Sequence, residues 1–119
     1  MLKIQEIYNK NYERLIDLNQ DIMKFIADEL QIDTPVVLSS QYNVNSSSTQ
    51  RLVDLVKSTN GTTYLTGYGS KNYLDETLFN KENIVVDWHD FEHPVYNQLH
   101  GEFIPGLSSL DFLMMKAEN

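Results

Sequence analysis

Apolar residues recur at helical spacing along the first part of the chain. Between residues 8 and 30 they are separated by steps of three and four, so they share one face of a helix: Leu15, Leu18, Ile22, Phe25, Ile26 and Leu30. Pro35 cannot continue a helix and biases the residue before it toward extended geometry. The pattern therefore predicts one long amphipathic helix over residues 8–30.

Three short apolar runs follow, and each is typical of a buried strand. They span residues 36–40, 62–66 and 84–88. Helical stretches separate them, and strands that alternate with helices favour a parallel sheet with right-handed crossovers. The predicted fold class is therefore α/β, with a small parallel β-sheet flanked by α-helices in a three-layer, Rossmann-like arrangement. Residues 1–119 are expected to form a single α/β domain.

Capping signals predict where the remaining helices begin. Ser47 and Gln50 have the spacing of a capping box, so a helix is predicted to start directly behind Ser47. A short helix is predicted over residues 72–79. The last helix is predicted to begin at Ser108, with Asp111 at the capping-box position.

Composition narrows the classes of function. The chain has 119 residues, of which 41% are hydrophobic, enough for a core. Nine basic residues against seventeen acidic ones give a net charge of −8, which repels nucleic acid and anionic lipid. The absence of cysteine excludes disulfides, cysteine-based metal sites and thiol catalysis. No apolar run could span a bilayer and no signal peptide is recognisable, so we expect a cytoplasmic protein without nucleic-acid or membrane partners.

The turn after the second predicted strand is the strongest indication of a ligand site. Gly67 and Gly69 bracket it, and Ser70 and Lys71 follow. Glycine permits positive φ and a close ligand approach, while the free amides of a helix start favour phosphate or carboxylate. We therefore expect positive φ at Gly67 or Gly69 and an anion bound by all four residues. The alternative is a tight turn in which glycine serves geometry alone, because the motif is neither a Walker A sequence nor a full dinucleotide fingerprint.

Two serines end the first predicted strand. Ligands of open α/β sheets sit at the carboxyl ends of the strands. Ser39 and Ser40 are therefore expected to bind the same anion near Gly67, if their strand is a neighbour of the second one. The alternative is that both hydroxyls cap local backbone groups.

Histidines and carboxylates gather around a long irregular segment, residues 89–105. The cluster comprises Asp87, His89, Asp90, His93 and His100. Its spacing matches no recognised metal motif, so neither a metal nor a cofactor is predicted. The histidines are expected to pack against neighbouring aromatic residues. Because imidazole titrates near neutral pH, His89 and His93 are also the candidate catalytic residues for moving a proton.

Several ordered stretches together resemble one known family. They are Val37-Leu38-Ser39-Ser40, Arg51-Leu52-Val53-Asp54-Leu55-Val56-Lys57 with Gly61, Tyr64-Leu65-Thr66-Gly67 with Gly69, Tyr73-Leu74-Asp75-Glu76, Asp87-Trp88-His89-Asp90 running to His93-Pro94-Val95-Tyr96, Phe103-Ile104-Pro105, and Leu107-Ser108-Ser109-Leu110-Asp111. On these stretches, from about Leu30 onward, the chain resembles the C-terminal half of the WbqC-like family. The ordered set is more specific than any single motif.

The resemblance implies bacterial proteins associated with O-antigen and other surface-polysaccharide gene sets. Family members begin with another half, which carries a Gln-Pro-Tyr-like segment, and this chain lacks it. The chain is therefore expected to be a fragment or a naturally short relative. The leading hypothesis is the sugar-nucleotide- or phosphate-binding part of a polysaccharide-biosynthesis enzyme, a transferase acting on an activated sugar. The alternative is a non-catalytic binding or assembly module that docks on a partner chain.

Self-association is expected because a three-stranded sheet without the missing half would leave apolar surface uncovered. The helix over residues 8–30 and the end of the last helix at Met114 and Met115 are the expected contact surfaces. A symmetric homodimer is the commonest closed form.

Overall fold

A computed structural model describes residues 2–116, which are mainly helical with one small sheet. In chain order the elements are α1 (Leu2–Tyr8), α2 (Leu15–Glu29), α3 (Ser48–Ser58), β1 (Thr63–Gly67), α4 (Glu76–Lys81), β2 (Val85–His89) and α5 (Ser109–Lys116). Short 3₁₀ turns cover Ser39–Gln41 and Tyr68–Ser70. The mixture of helices with a parallel sheet confirms the predicted α/β class.

The chain divides into two compact units. The sheet unit is the continuous segment Val36–Glu92, and the terminal unit combines Met1–Pro35 with His93–Asn119. The prediction that residues 1–119 form a single domain stays a prediction.

The sheet consists of two parallel strands among the described residues. β1 and β2 pair from Thr63 opposite Val85 to Gly67 opposite His89. Both strands lie one residue later than predicted. In each of them exposed and half-buried side chains alternate, so one face packs inward and the other meets solvent.

The strand predicted over residues 36–40 is wrong. This segment joins neither β1 nor β2 and ends in the 3₁₀ turn Ser39–Gln41. Its valines remain exposed, with Val36 at 71% and Val37 at 53%. An apolar run shows only that a segment could be a strand, whereas a strand also needs a neighbour to pair its backbone groups. With two strands, the three-layer Rossmann-like arrangement is not confirmed.

The core of the sheet unit lies between α3, α4 and the inner face of the sheet. Val53, Phe79 and Ile84 are buried, and the Phe79 ring stacks on Tyr64 at 5.0 Å between centroids. Buried Thr49 accepts a hydrogen bond from the backbone N–H of Asp75, which links α3 to the start of α4. These contacts hold the two strands, and with them the carboxyl ends of the strands, in place.

The single long helix predicted over residues 8–30 is correct from Leu15 to Glu29 and wrong before Leu15. It is interrupted between Tyr8 and Leu15, and the residue before α2 has extended geometry. The interruption is polar, and Lys10 and Tyr12 within it both bond the carboxylate of Asp21 on α2, at 2.8 and 2.7 Å. Side-chain bonds that fold the chain back onto α2 compete with continuous helical backbone bonding.

One helix start in the sheet unit agrees with the prediction and one differs: α3 begins directly behind Ser47, as predicted, whereas α4 begins later than predicted. Ser47 precedes α3 without a side-chain cap, and Gln50 donates to Asp54 instead of closing a capping box. The predicted helix over residues 72–79 begins only at Glu76. Asp75 is its N-cap, accepting from the backbone N–H of Thr77 at 3.0 Å.

The start of the last helix was predicted correctly. The hydroxyl of Ser108 accepts from the backbone N–H of Leu110, as expected of an N-cap. Asp111 does not complete a capping box, because its carboxylate accepts the Tyr96 hydroxyl at 2.6 Å. That bond anchors the irregular segment before α5, where Gln98 also exchanges two bonds with the backbone of Ile104.

Candidate functional site

The candidate site lies at the carboxyl ends of β1 and β2, entirely within the sheet unit. Gly67 ends β1, His89 ends β2, and the two residues are direct partners in the parallel register. The 3₁₀ turn Tyr68–Ser70 and then Lys71 follow Gly67. Carboxyl ends of parallel strands are the usual position of ligand sites in α/β proteins. We refer to Gly67, Tyr68, Lys71, Trp88 and His89 as the strand-end site.

The predicted positive φ at the glycines is wrong. Gly67 has φ −92° and ψ 159°, and the positive-φ glycines are Gly101 and Gly106, both in the terminal unit. A right-handed 3₁₀ turn needs no left-handed residue, so the backbone argument for an anion site at this turn is lost. A Cβ placed on Gly67 or Gly69 would meet no atom within 4 Å, so both positions are open.

The predicted helix start is also absent from the turn. α4 begins at Glu76, five residues beyond Lys71, and its first amides are served by Asp75. Helix amides therefore do not contribute to the strand-end site. Any affinity for an anion there must come from side chains and from the backbone of the turn itself.

Ser70 has a structural part in this turn. Its hydroxyl donates to the carbonyl of Gly67 at 2.9 Å and lies 2.7 Å from the hydroxyl of Thr66. A hydroxyl carries one hydrogen, so Thr66 must be the donor of the second bond. In this geometry Ser70 closes the turn and has no hydrogen left for a ligand, and its assignment to the anion stays a prediction.

Two aromatic rings that the sequence analysis did not single out meet at the site. Tyr68 stacks on Trp88 with centroids 5.9 Å apart and planes inclined by 21°. The ammonium of Lys71 lies 5.9 Å from the centroid of the Tyr68 ring. Tyr68 remains 54% exposed. The available signal in the sequence was a tyrosine two residues after one predicted strand and a tryptophan at the end of another.

The two candidate catalytic histidines belong to different units. His89 is exposed at the end of β2, with its ring 5.8 Å from Phe91. His93 opens the second segment of the terminal unit. A Cβ placed on Gly106 would lie 3.6 Å from Nε2 of His93, so that glycine keeps the imidazole close to the backbone. The catalytic assignment of both histidines stays a prediction.

Ser39 and Ser40 do not end a strand, so the argument that placed them beside Gly67 does not apply. They form the 3₁₀ turn with Gln41, in which the backbone N–H of Tyr42 donates to the carbonyl of Ser39. Their assignment to the anion site stays a prediction without support from strand order.

Within residues 2–116, no three histidine, aspartate or glutamate side chains lie close enough to hold a metal ion. The same residues include no helix long and apolar enough to cross a membrane.

A groove of about 480 Å³ lies in the terminal unit. It runs along α1 and α5 and is lined by Ile4, Gln5, Tyr8, Asn9, Leu110 and Met114. No charged side chain lines it, so it does not suit an anionic ligand.

Comparison with known proteins decides the family. The family described as "WbqC-like protein family" has a sequence model that matches residues 1–119, the whole chain. The chain belongs to the WbqC-like protein family. The match therefore extends beyond the part after Leu30 that carried the resemblance.

One curated relative of this WbqC-like chain is "Uncharacterized protein Rv1507c" from Mycobacterium tuberculosis. It is 34% identical over 97 residues, which are 81% of this chain and 42% of the relative. The chain thus spans less than half the length of that protein. No solved structure matches the chain.

Proposed function

We propose that the strand-end site binds the phosphate group of an activated sugar, as part of an enzyme of bacterial surface-polysaccharide synthesis. The observation that supports it is the register of the sheet, which puts the open turn after Gly67 directly beside His89. Lys71 provides the positive charge. The polysaccharide context is what the family resemblance implies.

The charge environment of Lys71 favours a ligand anion. Lys57 in the same unit is already paired with Glu82 at 2.6 Å. By contrast, no carboxylate oxygen of the described residues lies within 4.0 Å of the Lys71 ammonium nitrogen. The Lys71 ammonium contacts the Tyr68 ring. A phosphate can therefore bind the ammonium without displacing a carboxylate. The net charge of −8 opposes anions at long range, but salt screens it beyond roughly 8 Å.

In this proposal His89 carries a proton during transfer of a group to the sugar, whereas the catalytic assignment of His93, which belongs to the terminal unit, stays a prediction. His89 is adjacent to the turn through the register with Gly67. Gly67 and Gly69 give the ligand open access to the backbone. The assignment of Ser39, Ser40 and Ser70 to the same ligand stays a prediction. No resident cofactor is part of this proposal, and the proposed location is cytoplasmic.

Thermal melting with inorganic pyrophosphate and with sugar nucleotides tests the proposal. A ligand that binds only the folded chain raises the melting temperature with its concentration. Lys71→Met should weaken binding of every phosphate compound about tenfold or more, because a charge-assisted bond is lost. Lys81→Met, which removes a lysine from the end of α4 in the same unit, should leave binding unchanged. Equal loss in both variants, or no shift with any phosphate compound, would contradict the proposal.

Gly67→Ala separates a ligand role from a structural role. The added methyl meets no protein atom within 4 Å and the backbone is in an ordinary region, so folding should be unaffected. If the ligand approaches the turn closely, the variant loses affinity at unchanged stability. Unchanged affinity would mean that the ligand contacts side chains of the site and not the backbone at Gly67.

The second candidate function is a non-catalytic module that docks on a partner, including a second copy of the chain. Leu65 and Val85, both 61% exposed, lie on the solvent face of the sheet, and parallel sheets are normally covered on both faces. A homodimer would cover this face and should strengthen with added salt, which screens the net charge. Light scattering that finds only monomer at high protein and salt concentrations would exclude a second copy of the chain as that partner.

A further inference from the structure

We propose that Tyr68 and Trp88 form a stacking platform for the base of a nucleotide whose phosphate is held by Lys71. The inference rests on the proposed function and names the ligand more closely, as a nucleoside phosphate and not a simple sugar phosphate. The two rings come from the ends of two strands and meet only because β1 and β2 are paired in this register.

The exposure of Tyr68 distinguishes this pair from a core contact, although Trp88 is half-buried. The sheet unit holds a second stacked pair, Tyr64 on Phe79, in which Phe79 is completely buried. That inner pair stabilises the core. Tyr68, in contrast, is 54% exposed and lies in a turn, so its stacking with Trp88 leaves much of the ring in contact with solvent. Exposed stacked aromatic side chains are the surfaces on which nucleic-acid bases stack.

The position of the cation agrees with a nucleotide. A base offers a flat π face and its phosphate offers negative charge, and the two are separated by one sugar ring. At the strand-end site the ammonium of Lys71 lies over the Tyr68 ring, 5.9 Å from its centroid. A stacking base would take its place over the ring, and the flexible lysine side chain would move to the phosphate of the same ligand. Inorganic phosphate and plain sugar phosphates would use Lys71 and leave the platform empty.

The chain offers a built-in probe, because Trp88 is its single tryptophan. Its fluorescence should change when a base stacks on the pair. We would titrate the protein with uridine 5′-diphosphate, with inorganic pyrophosphate and with uridine, and measure affinities by calorimetry. Uridine diphosphate should bind about tenfold or more tightly than pyrophosphate, because a stacked base adds to the shared phosphate contact.

Variants assign that difference to the ring. Tyr68→Leu should abolish the advantage of uridine diphosphate and keep the affinity for pyrophosphate, whereas Tyr68→Phe should retain the advantage. Tyr73→Leu is the matched control, since Tyr73 is 72% exposed in the same connection and should not change either affinity. Thermal melting of each variant checks that it folds. If one variant does not fold, the ratio of the affinities for uridine diphosphate and pyrophosphate in the unaltered chain still tests the platform.

The outcomes separate the platform from the phosphate site. Equal binding of uridine diphosphate and pyrophosphate, or an advantage that survives Tyr68→Leu, overturns the platform and leaves the phosphate site standing. Binding of uridine alone that equals uridine diphosphate and ignores Lys71→Met supports the platform and overturns the phosphate site. Binding of none of the three probes overturns both.

Discussion

Different kinds of contact stabilise the inside of each of the two units. The sheet unit, Val36–Glu92, has a continuous apolar core around Val53, Phe79 and Ile84. In the described part of the terminal unit, the buried apolar side chains are Ile4 and Ile7, and both belong to one short helix. The rest of that unit is connected by polar bonds between side chains and by the edge-on packing of Tyr96 against Phe103 and Phe112.

The polar bonds of the terminal unit are specific but individually weak. The carboxylate of Asp21 accepts hydrogen bonds from Lys10 and Tyr12, and that of Asp111 accepts one from Tyr96. The Lys10–Asp21 bond is an exposed ion pair, and such pairs contribute little to stability. Each tyrosine–aspartate hydrogen bond contributes about 0.5–3 kcal/mol, and each buried aliphatic or aromatic side chain about 1.5–3 kcal/mol. The comparison indicates that the strand-end site is built on the more stable unit. A ligand site needs such support, because its geometry is only as fixed as the elements that carry it.

The largest expected effect is at the centre of the sheet unit. Phe79→Ala should lower the free energy of unfolding by about 3–5 kcal/mol, because it leaves a cavity and removes the stack on Tyr64. Urea denaturation measures the change. Leu65→Ala, on the exposed face of the same sheet, is the control and should cost far less. Similar losses for both would mean that the buried core does not dominate the unit.

Glycines provide the next test. A Cβ on Gly61 would lie 3.0 Å from a methyl of Val56 and 3.2 Å from its carbonyl oxygen, so Gly61→Ala should cost about 1–3 kcal/mol by overpacking. Gly69→Ala meets open space and should be nearly neutral, within about 0.5 kcal/mol. Chemical denaturation of both variants checks the pair. Equal costs would show that Gly69 has a structural requirement that its surroundings do not reveal.

In the terminal unit, Tyr96→Phe should have a smaller and more local effect. It removes the hydroxyl that donates to Asp111 but keeps the ring, which packs edge-on against Phe103 and Phe112. We expect faster amide hydrogen exchange at residues 98–104, with little change in the sheet unit. Tyr73→Phe, an exposed tyrosine, is the control. Unchanged exchange would mean that ring packing alone orders the segment.

The smallest effect concerns pH, and it should appear in both units. Hydrogen bonds from Lys10 and then Tyr12 lower the pKa of Asp21, and bonds from Ser46 and then Gln50 lower the pKa of Asp54. A carboxylate with a lowered folded pKa stabilises the fold above the ordinary value of 3.8, and this is lost as pH falls through the folded pKa.

Melting temperatures measured at decreasing pH below 3.8 test this pair. Asp21→Asn and Asp54→Asn should each flatten the acid decline, because the variant side chain does not titrate. A decline that stays unchanged in both variants would assign acid sensitivity to other carboxylates.

Sequence patterns predicted the sheet unit better than the terminal unit, for a physical reason. Strands over residues 62–66 and 84–88 were correct within one residue, because their side chains alternate between a core and solvent. The prediction over residues 8–30 failed only before Leu15, where the polar segment between α1 and α2 bonds back to Asp21 through Lys10 and Tyr12. The prediction over residues 36–40 failed because an apolar run does not specify a pairing partner.

The sequence by itself determined the α/β class, the family and the presence of an open turn behind the first paired strand. Only the tertiary structure decided that Gly67 faces His89, that Tyr68 stacks on Trp88, and that Ser70 uses its hydroxyl within the turn. Local patterns report on neighbours three or four residues apart or on alternate residues of a strand. The strand-end site depends instead on the register between two strands separated by a whole helix, and a shift of one residue would send its side chains to opposite faces.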